Sequence, residues 1–183
     1  RKIHKAFMVK EGYPFVGVAL LIAIVFAFFQ IWIGAAVFLL LTLFMAYFFR
    51  NPQRTIPTEP NIIVSPADGR VTRVEENEQG KLISIFLSPL DVHVNRAPIE
   101  GKVTKIDYVF GKKMPATSDN ASLINERNSL LIEGEKITVI VTQIAGIVAR
   151  RIVCWSKVGD HLERGQLFGL IKFSSRTDLQ MPA

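Results

Sequence analysis

From Tyr13 to Phe49 the chain runs through 37 residues without one Asp, Glu, Lys or Arg. As one straight helix this stretch would be roughly 55 Å long at 1.5 Å per residue, far more than a hydrocarbon core of about 30 Å. Divided near Gln30 it gives Pro14–Phe29 and Ile31–Phe49, two lengths just short of or adequate for spanning. The sequence therefore predicts a membrane-anchoring helical hairpin or a shallow re-entrant pair over residues 1–50. A cleaved signal peptide is the weaker reading, because its apolar region covers only about 7–15 residues and ends at a small-residue cleavage site. Arg1, Lys2, Lys5 and Lys10 precede the stretch, and Arg50 and Arg54 follow it. In a hairpin both flanks share one side, which the positive-inside tendency assigns to the cytoplasm. The expected location is the cell membrane, with the remaining domain on the cytoplasmic face.

Residues 51–60, with three prolines, read as an extended linker. Beyond it, residues 61–183 form a second domain large enough for its own core. The pattern changes there to short β-type runs: Gly69–Glu75, Leu82–Leu87, Val103–Phe110, Ser129–Ile132, Ile137–Thr142, Arg151–Trp155 and Gln166–Phe173. Few stretches keep helical periodicity. The predicted fold is a mostly β domain, an antiparallel sandwich or open barrel, joined to the N-terminal hairpin. The turns around Asp68-Gly69 and Gly159-Asp160 are similar to those of lipoyl-like β-sandwiches, which informs the fold more than the function.

The formal charge of +6 comes without a Lys/Arg run interleaved with aromatics, so an anionic lipid surface is a better partner than nucleic acid. The single Cys154 excludes an intrachain disulfide and is expected to pack as a small apolar residue. Only three histidines are present. His4 precedes the apolar stretch, and His161 falls in the Gly159-Asp160 turn, where exposure is expected. A metallopeptidase needs more clustered His or Asp ligands than this supply offers, so no metal site is expected. His93, between Val92 and Val94, points away from its apolar neighbours on any strand and by default is a satisfied structural residue.

Four segments change that default: Ser65-Pro-Ala-Asp-Gly-Arg70, Leu87-Ser-Pro-Leu-Asp-Val-His-Val-Asn-Arg-Ala-Pro98, Asn125-Glu-Arg-Asn128 and Gly169-Leu-Ile-Lys-Phe-Ser-Ser-Arg-Thr-Asp178. In this order and spacing the chain resembles the short form of phosphatidylserine decarboxylase, a family that cuts its own chain before a serine and converts that serine into a pyruvoyl cofactor. The resemblance extends from Gly12-Tyr-Pro14 to Asp178. It implies that Asp68, His93 and Ser175 act together, with self-cleavage between Ser174 and Ser175. It also implies that Asp68 holds the His93 imidazole in the tautomer able to accept the Ser175 hydroxyl proton. The pyruvoyl ketone would then condense with the amine of the serine headgroup and take up the electrons released as carbon dioxide leaves. The substrate would be phosphatidylserine or a related serine phospholipid, including an archaeal ether lipid, and the assembly a homodimer. Arg96, Arg150, Arg151 and Arg176 are the candidates for the anionic headgroup.

The chain departs from that family in three places. The family has glycine before the cleaved serine, where this sequence has Ser174; a side chain there hinders positive φ and close approach to the carbonyl. An uncleaved proenzyme is therefore expected. Arg96 stands where the long form has a second histidine, leaving base work to His93. The family also continues past Asp178 into further β-structure. The competing reading is a non-enzymatic, membrane-tethered lipoyl-like adaptor, which explains the turns and the anchor but not the joint presence of Asp68, His93 and Ser175.

Overall fold

The computed structural model describes residues 6–78, 80–111, 124–146, 151–172 and 175–182. The chain divides into two compact units, Arg1–Gln53 and Arg54–Ala183.

The first unit is a helical hairpin. Helix α1 (Tyr13–Phe28) has Pro14 in its first turn, where the missing N–H costs nothing. Helix α2 (Trp32–Phe48) follows after a turn centred on Gln30, which takes a left-handed φ of 58°. The Ile31 N–H donates to the Phe26 carbonyl at 2.9 Å and closes the turn. At the other end Val9 N donates to Phe49 O at 3.0 Å and Asn51 N to Phe7 O at 2.7 Å, so the strands entering and leaving the hairpin lie side by side. The ring of Phe15 stacks on Phe49, and that of Phe26 on Phe38. Apart from such contacts the helices are apolar all round: Leu21, Ile24, Phe28, Trp32, Ile33 and Leu40 are all exposed. The stretch Lys10–Phe28 is long and apolar enough to cross a membrane, and Trp32–Phe48 is a shorter apolar helix.

The second unit is built from antiparallel strands: β1 (Arg70–Asn77), β2 (Gly80–Leu87), β3 (Val94–Arg96), β4 (Gly101–Val109), β5 (Arg127–Glu133), β6 (Thr138–Ala145), β7 (Arg151–Cys154), β8 (His161–Leu162), β9 (Leu167–Lys172) and β10 (Ser175–Met181). Seven of them form a sheet in the order β1-β2-β10-β6-β5-β4-β8, and three form a second sheet, β3-β9-β7. Alternation along β5 and β6 turns Leu130, Ile132, Val139 and Val141 inward. They meet Val103 of β4, Leu179 of β10 and Phe168 of β9 in one core between the two sheets. The edge strand β1 is exposed along nearly its whole length and carries Arg73, Glu75 and Glu76, charges that discourage pairing with another chain.

The seven strands read from the sequence coincide with β1, β2, β4, β5, β6, β7 and β9, within the usual latitude at the ends. Three were not legible. The most consequential is β10, whose Ser-Arg-Thr-Asp start reads as turn material. It is nevertheless inserted between β2 and β6 and hydrogen-bonded on both sides, so pairing decides its conformation rather than residue preference. The sites expected at Arg150 and Ser174 lie outside the described residues.

Candidate active site

Ser175 is the first residue of β10, opposite Leu87 of β2 and Ala145 of β6. It has no exposed surface, and its Oγ is buried with no hydrogen-bond partner among the described residues. An unsatisfied buried hydroxyl costs about 1–3 kcal/mol, which a serine kept only for structure would not need to bear.

His93 is also fully buried, on the segment joining β2 to β3. Local sequence places it. Ser88 and Pro89 open a turn in which Asp91 N donates to Ser88 O at 2.9 Å, while the Asp91 carboxylate accepts from Ser88 N at 2.8 Å and Ser88 Oγ at 2.7 Å. This turn aims the Asp91 carbonyl at His93 Nδ1, 2.9 Å away. A carbonyl only accepts, so Nδ1 carries the proton and Nε2 is left with the lone pair. The His93 carbonyl in turn accepts from Ile171 N at 3.2 Å, at the end of β9 from which the chain passes to Ser175.

Asp68 is placed differently from the role expected of it. Its carboxylate is ion-paired with Arg54, and both side chains are about two-fifths exposed. The imidazole tautomer is thus set by the Asp91 backbone in this structure, and Asp68 enters the region through its turn. That turn packs on β3: Arg96 N donates to Pro66 O at 2.9 Å. It is fixed by Gly69, whose φ of 136° suits glycine and where a Cβ would lie 2.2 Å from the Phe86 carbonyl.

The four arginines separate. Arg96 is beside Arg54 and Asp68 and donates through Nη1 to Gly165 O at 3.1 Å. Burial, with Arg54 alongside, pulls its guanidinium below the ordinary value, and Asp68 opposes the shift. Arg151 opens β7 exposed, opposite Lys172 of β9. Arg176 alternates to the face of β10 opposite Ser175 and is committed to a buried two-point ion pair with Asp178, at 3.0 and 3.2 Å. His161 is exposed and 3.3 Å from Glu100, and no group of three metal-ligating side chains is found among the described residues.

Residues 41–183 match the family model of phosphatidylserine decarboxylase. The chain belongs to the phosphatidylserine decarboxylase family. It is 47% identical to the phosphatidylserine decarboxylase proenzyme of Symbiobacterium thermophilum, over 99% of this chain and 87% of the relative. Identity is 48% with the proenzyme of Carboxydothermus hydrogenoformans, over 96% and 85%, and 45% with that of Geotalea uraniireducens, over 94% and 84%.

The family motifs do not by themselves disclose a chain of buried amides beside these residues. Asn128 Nδ2 donates to Gln143 Oε1 at 3.0 Å, Gln143 Nε2 to Asn95 Oδ1 at 2.8 Å, and Asn95 Nδ2 to Thr177 Oγ1 at 3.0 Å. The sequence signal for them is polar residues at inward positions of strands whose other inward residues are Val, Leu and Ile. Asn125, in one of the four segments that carry the resemblance, donates to Ala145 O at 2.7 Å, while Glu126 accepts from the Tyr108 hydroxyl.

Proposed function

We propose that this chain is the membrane-anchored precursor of a pyruvoyl-dependent decarboxylase of phosphatidylserine or a related serine phospholipid, with phosphatidylethanolamine or its ether counterpart as product. The observation that carries this reading beyond family membership is the buried hydroxyl of Ser175 at the head of β10, without a hydrogen-bond partner among the described residues. His93 is the base: with Nδ1 donating to the Asp91 carbonyl, Nε2 accepts the Ser175 proton. Ser175 Oγ then bonds to the carbonyl carbon of residue 174, the peptide C–N bond breaks, and the amine of residue 175 takes the proton. Loss of the Ser175 α-proton expels the new ester as the carboxylate of residue 174 and leaves dehydroalanine. Addition of water with release of ammonia converts that residue to a pyruvoyl group. Once formed, this group supplies the ketone that acts as electron sink for decarboxylation.

Asp68 contributes its carboxylate from the turn packed on β3, held by Arg54 in the uncleaved chain. Arg96 and Arg151 are the headgroup cations with the most accessible placement, Arg150 is the third, and Arg176 serves through its ion pair beside Ser175. Residues 1–50 form the anchor, 51–60 the linker and 61–183 the catalytic domain. The exposed apolar hairpin and its basic flanks support attachment to the cell membrane from the cytoplasmic side; a homodimer follows from the family resemblance. Ser174 in place of glycine supports the uncleaved state.

The test is release of carbon dioxide from carboxyl-labelled phosphatidylserine in mixed micelles. The Ser174→Gly chain should release label, and neither its His93→Ala nor its Ser175→Ala version should. Equal, background release from all three would favour the adaptor.

A further inference from the structure

We infer that Asn95 and Gln143 are positioning residues for self-cleavage, fixing His93 against the peptide bond that precedes Ser175. This rests on the self-processing reading above. The argument is one of register. Asn95 lies two residues after His93, whose carbonyl accepts from Ile171 N just before β3 pairs with β9. Gln143 lies two residues before Ala145, the residue opposite Ser175, and faces Thr177, two residues after Ser175. The 2.8 Å bond between Gln143 Nε2 and Asn95 Oδ1 therefore ties the histidine's segment in the three-stranded sheet to the strand backing the serine in the seven-stranded sheet. Asn95 reaches β10 as well, through Thr177 Oγ1 at 3.0 Å.

The bonds run in one direction. Asn128 donates to Gln143 Oε1, so the Gln143 amide must present its N–H to Asn95, which must present its own N–H to Thr177. All four side chains are at most 1% exposed, so water does not compete. Room for the link is provided by Gly169, opposite Asn95 in β9: a Cβ there would lie 2.7 Å from Gln143 Nε2 and 2.6 Å from the Val153 carbonyl. A polar bridge between two sheets otherwise packed through Val, Leu, Ile and Phe holds two strands at a fixed spacing, which nondirectional packing does not do.

The experiment separates holding the site from holding the fold. Replacing both partners of a buried hydrogen bond with apolar groups of like shape can restore stability, whereas replacing one leaves the other unsatisfied. Gln143→Met, Asn95→Leu and the double variant are made in the full Ser174→Gly chain with Asn128→Leu and Thr177→Val added, so that each single variant strands one partner and the double variant strands none. Cleavage is followed by pulse–chase in cell-free synthesis, and thermal midpoints are read in a Ser175→Ala background that cannot cleave. The double variant is expected to recover midpoint relative to the single ones yet cleave on the order of 10- to 100-fold more slowly than the parent. Cleavage that recovers together with the midpoint would overturn the inference. Should the double variant not fold, Gln143→Met is compared with Val141→Ala, a core truncation of the same strand: equal slowing at equal loss of midpoint also overturns it. A parent that never cleaves removes the processing reading instead.

Discussion

At the level of single residues, titration and reactivity follow from burial. Burial raises the Cys154 thiol, and hydrogen bonding with the Ser156 backbone and the Asn128 side chain opposes it only in part. Alkylation by iodoacetamide at pH 8 should therefore be at least about tenfold slower in the folded chain than in urea, since the thiolate is the nucleophile; equal rates would contradict this. Burial and the Glu126 carboxylate push Tyr108 up to about 12 from 10.0. The unfolded chain gives up this proton first, so the contribution is complete below pH 10 and is lost as pH rises towards about 12. Thermal midpoints should fall across that window, and Tyr108→Phe should make the fall shallower. His93 and Ser175 were legible as candidates in the sequence because their short motifs carry them. The Asp91 carbonyl that sets the imidazole tautomer was not, because a backbone acceptor has no residue-type signature. Nor was the Arg54 partner of Asp68, which is 14 positions away and meets it only through folding.

At the level of elements, strand alternation made β5 and β6 readable, since inward Leu130, Ile132, Val139 and Val141 alternate with outward neighbours. It failed for β10, where Ser175 and Thr177 take inner-face positions and Thr177 faces Gln143 of β6 and accepts from Asn95 of β3. The same polar residues that hide the strand lie at the candidate site. The Asp68-Gly69 turn is the element most sensitive to a small change. Gly69→Ala places a methyl against the Phe86 carbonyl at a φ that alanine resists, and should destabilise the domain by about 1–3 kcal/mol. Chemical denaturation of the Ser175→Ala chain checks this; an unchanged midpoint would mean that the turn relaxes freely.

At the level of the whole molecule, the two units present different surfaces. The hairpin leaves Ile24 and Leu43 more than half exposed, and apolar helices of this kind are stable only when covered. Ile24→Asp combined with Leu43→Asp should abolish flotation with vesicles of phosphatidylethanolamine and phosphatidylglycerol, because each charge is costly in hydrocarbon. Flotation that persists would place the attachment elsewhere. In the sequence a charge-free run, a proline-rich segment and β-type alternation follow one another, and the two compact units divide between Gln53 and Arg54.

The central claim is that this chain makes its own cofactor. Intact mass spectrometry of the purified Ser174→Gly chain tests it most directly. Two fragments divided before residue 175, the C-terminal one lighter by the loss of ammonia's equivalent and carrying a ketone that reacts with a hydrazide, are predicted, while the Ser175→Ala version stays whole. An unbroken Ser174→Gly chain, or a break that leaves an ordinary serine at the new N-terminus, would contradict it.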